Sequence, residues 1–191
     1  MSKDQILQSI KRNIQQRYDK PEIALEAIRY DNLLEQFIEI TKGVGGEAIL
    51  LQPDQDINQV IKGLYNEANV IASNLDEITI NTINPDDIAD SHQLDNVDLA
   101  IVRGEFGVGE NGCVWIPQNV RHKALYFISQ YLIIVLDKNE LVNNMHEAYA
   151  RLKVADKGFG IFISGPSKTA DIEQALVVGA HGPKGLTVIL K

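Results

Sequence analysis

This sequence predicts an α/β fold built on a mostly parallel sheet flanked by helices, and three observations carry that expectation. Apolar strand-like runs alternate with amphipathic helical stretches from residue 47 to residue 190. Some of those runs, YLIIVL among them, are apolar without alternation, as a strand covered on both faces must be. No internal repeat or low-complexity linker breaks the series, so a single domain over residues 31–191 is expected behind an N-terminal helical arm over residues 1–30.

The arm rests on residues 4–18, where Ile6, Leu7, Ile10 and Ile14 form an apolar stripe between polar residues. Such a helix covers either its own core, the simpler expectation, or a neighbouring subunit. A second helix carries Leu33, Leu34, Phe37, Ile38 and Val44, with Asp31 as N-cap and Gly43, Gly45 and Gly46 as its stop. EAILL then reads as a strand, DINQVIKGLYNEA as a helix and NVIAS as a strand. ITIN suits a short strand or turn, PDDIADSHQ a polar helical stretch, and VDLAIVR and CVWIP two strands around GEFGVGENG. RHKALYFISQ is a short helix and QYLIIVLD an apolar strand. KNELVNNMHEAYARLK places Leu141, Val142, Met145, Tyr149 and Leu152 at helical spacing. FGIFIS is a strand, TADIEQALVVGA a helix and LTVIL the last strand.

Composition narrows the function. A formal charge of −8 over 191 residues argues against a nucleic-acid or anionic-membrane surface. Cys113 is the one cysteine, and one thiol builds no internal disulfide, iron–sulfur cluster or cysteine zinc site. The four histidines show no metal-ligand spacing, and His181 suits a helix C-terminal charge. With neither a signal-peptide pattern nor an apolar run long enough to span a membrane, a cytoplasmic setting is expected.

GVGENG, residues 107–112, fits the dinucleotide fingerprint letter for letter, yet CVWIP follows it where a helix should start. Gly107, Gly109 and Gly112 are therefore expected to make a tight strand-to-strand turn. Glu105 and Glu110 flank or ride on that turn. Either is a solvated loop carboxylate or, with a tuned pKa, a base or nucleophile.

The stretch 163–176, ISGPSKTADIEQAL, reads as strand, short loop and helix start near Thr169. That corner is where α/β sheets bind anions, with Ser164, Ser167 and Thr169 as donors, Lys168 as a cation and Asp171 near the positive helix end. A well-capped helix with no ligand explains the same residues equally well.

The long run SGPSKTADIEQALVVGAHGPKGLTVIL resembles the C-terminal signature of the LUD-domain (lactate utilization, LutC/YkgG-like) family. FGVGENGCVWI sits where that family carries a similar glycine-flanked segment, so Glu110 falls on the family glutamate, Gly112 on its glycine and Arg121 on its arginine. Asn111 and Cys113 depart from the usual threonines, and Tyr126-Phe127-Ile128-Ser129 departs from a proline-containing turn, which touches ligand specificity and not the fold. The resemblance implies a fold similar to the NagB/RpiA/CoA-transferase group. It also implies a role in oxidising L-lactate to pyruvate with iron–sulfur partner proteins (LutA/LutB-like), this chain being the cluster-free subunit with no cofactor of its own. The alternative it leaves open is a stand-alone enzyme or sensor for a small carboxylate, phosphate ester or CoA-type ligand. Glu110 would then be the catalytic group, with Ser164, Gly165, Ser167, Lys168, Thr169, Asp171 and Arg121 as ligand-binding residues. Whether copies of the chain assemble is left open.

Overall fold

The computed structural model describes residues 2–14, 18–19, 26–152, 158–169 and 176–191. In chain order its elements begin with α1 (Lys3–Asn13), α2 (Leu33–Gly43), β1 (Glu47–Leu50), α3 (Ile57–Leu64), β2 (Ile71–Ala72) and β3 (Leu99–Arg103). There follow β4 (Phe106–Val108), β5 (Val114–Pro117), α4 (Leu125–Ile128), β6 (Tyr131–Leu136), β7 (Leu141–Val142) and α5 (Met145–Arg151). The last strands are β8 (Gly160–Ile163), β9 (Lys168–Thr169), β10 (Val177–Val178) and β11 (Gly185–Leu190).

The central sheet has the order β1-β11-β6-β3-β2, with every pairing parallel. Its strands lack alternation because both faces are buried. Leu132, Ile134 and Leu136 of β6 join Ala100, Val102, Val188 and Leu190 on one side. Ile133 and Val135 join Leu99, Ile101 and Ile189 on the other. Helix α3 covers the second side through Ile57 and Ile61, one turn apart, and Asp56 caps it by accepting the Asn58 N–H at 2.9 Å.

The first side carries Phe37 of α2, Leu125 and Tyr126 of α4, and a second sheet of order β7-β4-β5-β8. Here alternation is strict. Val114 and Ile116 point into the shared core, while Phe106, Val108, Trp115 and Phe162 face α5 and its Ala148 and Met145. A mostly parallel central sheet with helices on both faces thus stands as expected, and the second sheet is an addition that the sequence did not separate from it.

Several expected elements change. KNELVNNMHEAYARLK is not one helix: Leu141 and Val142 form β7 against Gly107 and Val108, and the helix begins at Met145. Asn144 sets that start, its Oδ1 accepting the Glu147 N–H at 3.0 Å. TADIEQALVVGA is not helical at either described end, because Thr169 pairs antiparallel with Val177 and Lys168 with Val178. The β-branched residues at those ends suit strands. Residues 170–175, Asp171 with them, lie outside the described residues. PDDIADSHQ yields only a single 3-10 turn, Ser91–Leu94, capped by Asp90. The cap of α2 is Asn32 in place of Asp31, since its Oδ1 is the one that accepts the Glu35 N–H.

Helix α1 ends at Asn13 and opens with a capping box between Ser2 and Gln5. None of its residues is buried, so its apolar stripe does not cover the core as the simpler expectation had it.

The polar end of the central sheet holds one strong ionic contact. Glu77 Oε1 accepts from Arg103, the last residue of β3, and from Lys191 Nζ at 2.9 Å. Burial alone would raise the Glu77 carboxyl, but these two cations outweigh it and hold it at about 2, against an ordinary 4.5. A folded value below the unfolded one stabilises above the unfolded pKa, and that stability disappears as pH falls from about 4.5 through about 2.

Two stability measurements follow. Urea denaturation should show Phe37→Ala costing about 3–5 kcal/mol, against less than about 0.5 for the exposed neighbour Glu39→Ala. Glu77→Gln should cost about 1–2 kcal/mol at pH 7 after allowance for solvent screening, with the deficit vanishing toward pH 2 in an acid titration series.

Candidate functional site

Gly109 to Gly112 close the β4–β5 hairpin as expected. The Gly112 N–H donates to Val108 O at 2.9 Å and the Val108 N–H donates to Cys113 O at 2.9 Å. Gly112 has φ +66°, and a Cβ there would sit 3.2 Å from the backbone of Thr41 on α2. The turn is thus pressed onto α2, where Gln36 Nε2 also donates to Gly109 O at 3.2 Å. A strand follows the turn, so no helix starts from these glycines as the dinucleotide fingerprint requires.

Glu110 stands exposed on this turn, and its Oε2 accepts the N–H of Met145, the first residue of α5, at 2.8 Å. The first N–H groups of a helix lack intrahelical partners and carry partial positive charge, so a carboxylate is well placed there. The same helix end is tied down by its neighbours. Asn143 Oδ1 accepts the Tyr30 N–H at 3.0 Å, Asn144 Nδ2 donates to Ile28 O at 2.9 Å, and Glu147 Oε2 accepts the Asn143 N–H at 2.8 Å. That last backbone hydrogen bond is the main cause of the lowered Glu147 pKa. A groove of about 560 Å³ runs alongside, lined by Arg29, Asn144, His146 and Glu147 among others.

Strand β8 delivers the second group of candidates to the same place. Ser164 Oγ donates to Asn111 O at 2.8 Å, so this loop abuts the turn that bears Glu110. Gly165 has φ +66°, and a Cβ there would sit 2.6 Å from Val44 O at the end of α2. Lys168 Nζ donates to that same carbonyl. Ser167 exchanges backbone bonds with the closing segment, its N–H donating to Pro183 O at 2.9 Å and its carbonyl accepting from Gly179 at 3.0 Å.

Ser164, Gly165 and Lys168 therefore meet the Glu110 turn around the C-terminus of α2, while Ser167 faces the closing segment and Thr169 pairs with Val177. The corner differs from the one expected: Thr169 opens a strand pair where a helix start was foreseen, and the Lys168 ammonium is engaged by a carbonyl. Arg121 does not join this group. It lies past the far end of β5, where its N–H donates to Asp86 Oδ1 at 2.7 Å.

Sequence reasoning missed a second polar centre, at the C-terminal ends of the parallel strands, where open α/β sheets hold their ligands. Arg103 and Lys191 converge there on Glu77. Asn119 Nδ2 donates to Arg103 O at 2.9 Å, and Asn74 Nδ2 bridges Asn119 O and Asp86 Oδ2 at 2.8 and 2.9 Å. The visible signal was a cation closing each of two apolar strands, VDLAIVR and LTVILK.

Cys113 is buried, 3.8 Å from Met145 Sδ, and desolvation pushes its thiol up to about 12, which removes it as a nucleophile. Among the described residues no group of three or more His, Cys, Asp or Glu could hold a metal, and no helix is long and apolar enough to cross a membrane.

The LUD domain matches over residues 82–190, more than half of the chain and inclusive of both the Glu110 turn and the 164–169 loop. An uncharacterized protein of Neisseria meningitidis serogroup B is 27% identical over 83% of this chain and 66% of its own length. Lactate utilization protein C of Bacillus pumilus is 32% identical over 50% of this chain and 45% of its own length. YkgG of Escherichia coli, uncharacterized as well, is 25% identical over 78% of this chain and 64% of its own length. The chain thus spans about half to two thirds of the length of these relatives. A crystal structure of a DUF162 family protein from Deinococcus radiodurans shares the fold, with a TM-score of 0.61 at 17% identity over 83% of this chain and 95% of that one. With the family match covering both loops that meet on α2, the chain belongs to the LUD domain family.

Proposed function

We propose that this chain serves lactate utilization as a cluster-free, cytoplasmic subunit that works with iron–sulfur proteins in oxidising L-lactate to pyruvate. The observation that carries the reading is the 32% identity to Lactate utilization protein C of Bacillus pumilus. The chemistry of the chain supports a division of labour. Lactate oxidation releases two electrons, and a chain whose one thiol is buried and protonated has no cysteine ligands for a cluster to receive them. Clusters in partner proteins would carry the electrons. In this reading Glu110 is a positioning residue that fixes the first turn of α5 beside the 164–169 loop.

A second reading keeps Glu110 as a base or nucleophile in a stand-alone enzyme or sensor for a small carboxylate, phosphate ester or CoA-type ligand. What favours it is the Ser164 contact with Asn111 O, which sets the two candidate loops side by side.

The first experiment is affinity purification of the tagged chain from its native cell under anaerobic, low-salt conditions. Iron–sulfur proteins with lactate-dependent electron transfer should accompany it; recovery of the chain alone, together with normal growth on L-lactate of a strain that lacks it, overturns the subunit reading. Glu110 variants separate the two roles. As a positioning residue, Glu110→Ala should lower stability by about 1 kcal/mol, and Glu110→Gln, which keeps an acceptor oxygen, by about half that, with turnover following stability. As a base, Glu110→Gln should reduce turnover at least about 100-fold, far beyond what the same small loss of stability explains.

A further inference from the structure

Arg103 ends β3 and Lys191 directly follows β11, the two strands that flank β6. Both lie on the α3 side of the sheet, Arg103 two residues past Ile101 and Lys191 two past Ile189. They meet a single carboxylate oxygen, Glu77 Oε1. Glu77 is no part of the sheet; it reaches in from the loop after β2. That loop is anchored independently of the carboxylate, since Asn58 Nδ2 donates to Glu77 O at 3.0 Å, the Thr79 N–H donates to Asn58 Oδ1 at 2.8 Å, and Ile78 is buried. The Glu77 side chain can therefore swing away while its backbone stays in place.

Charge at this edge is mixed, with Arg103, Lys138 and Lys191 facing the carboxylates of Glu77 and Asp137. Two cations share one anionic oxygen and Lys138 follows β6 beside them, in a chain of formal charge −8. The neighbouring Asp137 carboxylate is occupied by Asn139, whose N–H and Nδ2 donate to it at 2.8 and 2.9 Å. Solvent reaches the contact, with side-chain exposures of 32% for Arg103, 33% for Glu77 and 42% for Lys191. A cleft of about 420 Å³, lined by Leu50, Gln52, Pro53, Lys138 and Lys191, opens next to it.

We propose that Arg103 and Lys191 form a binding subsite for a small carboxylate anion, with the Glu77 carboxylate as its built-in competitor. The pair already holds a carboxylate in the fold, so its geometry is complementary to that class. An incoming anion takes the guanidinium and the ammonium and releases Glu77 to solvent, with no net change in buried charge. Internal competition raises the apparent Kd by the reciprocal of the fraction of molecules in which Glu77 has released the cations. The subsite lies at the strand ends, apart from the Glu110 turn, and stands or falls independently of the lactate reading.

The test is calorimetric titration of the full chain with acetate and, separately, L-lactate, with chloride holding ionic strength constant. Glu77→Gln should bind acetate at least about ten-fold more tightly than the wild type, and adding Arg103→Met should abolish that binding. If Glu77→Gln is too unstable to titrate, Glu77→Asp retracts the carboxylate by one methylene and should also bind more tightly than the wild type. Equal affinities in wild type and Glu77 variants, or binding that survives Arg103→Met, overturn the proposal. So does a preference for inorganic phosphate over acetate. Acetate binding in cells with no lactate phenotype leaves the subsite standing and removes the lactate function; the reverse pattern removes the subsite alone.

Discussion

Burial of β6 on both faces is the constraint on which the rest of the molecule depends. A strand packed between two cores can spend no side chain on polar work, so every group able to do chemistry is driven to the strand ends and to the loops beyond them. The two polar centres obey this rule at opposite ends of the molecule. Arg103 and Lys191 mark where β3 and β11 leave the core, while the Glu110 turn and the 164–169 loop belong to the second sheet, around the C-terminus of α2.

Helix α2 is what makes the Glu110 centre one place. Phe37 anchors it between the two sheets, Thr41 receives the Gly112 turn, and Val44 O receives both Gly165 and Lys168. Two chain segments more than fifty residues apart thereby share one platform, and Asn111 and Ser164 meet across it. The close approach explains why glycines stand at both contact points: at Gly165 a side chain would strike Val44 O, and at Gly112 a positive φ combines with a tight approach to Thr41.

How legible this was in the sequence depended on the range of the physics involved. VDLAIVR, QYLIIVLD and LTVIL announced themselves because two-sided burial writes an unbroken apolar run. The hairpin reading of GVGENG held because the β-branched CVWIP after it rules out a helix. Patterns failed where a cap or a distant partner decided the outcome. Leu141 and Val142 share helical spacing with Met145, yet Asn144 begins the helix behind them. Thr169 suits a helix start, yet Val177 claims it for a strand pair. The Glu77 contact joins residues 26 and 114 positions away, and no local spacing encodes such a meeting. Arg121 matched a pattern by alignment alone, and the chain carries it past β5 to Asp86.

Cys113, wedged between β5 and α5 against the Met145 sulfur, gives the molecule an internal clock. With 4% of its surface accessible, the thiol meets an alkylating reagent only when the packing around it opens. Its labelling rate under native conditions therefore reads how often the cluster it shares with Val108, Val142 and Ala148 opens. Because Glu110, Asn143 and Asn144 hold the first turn of α5, the same rate reports the grip of the turn on the helix, with no label needing to be introduced.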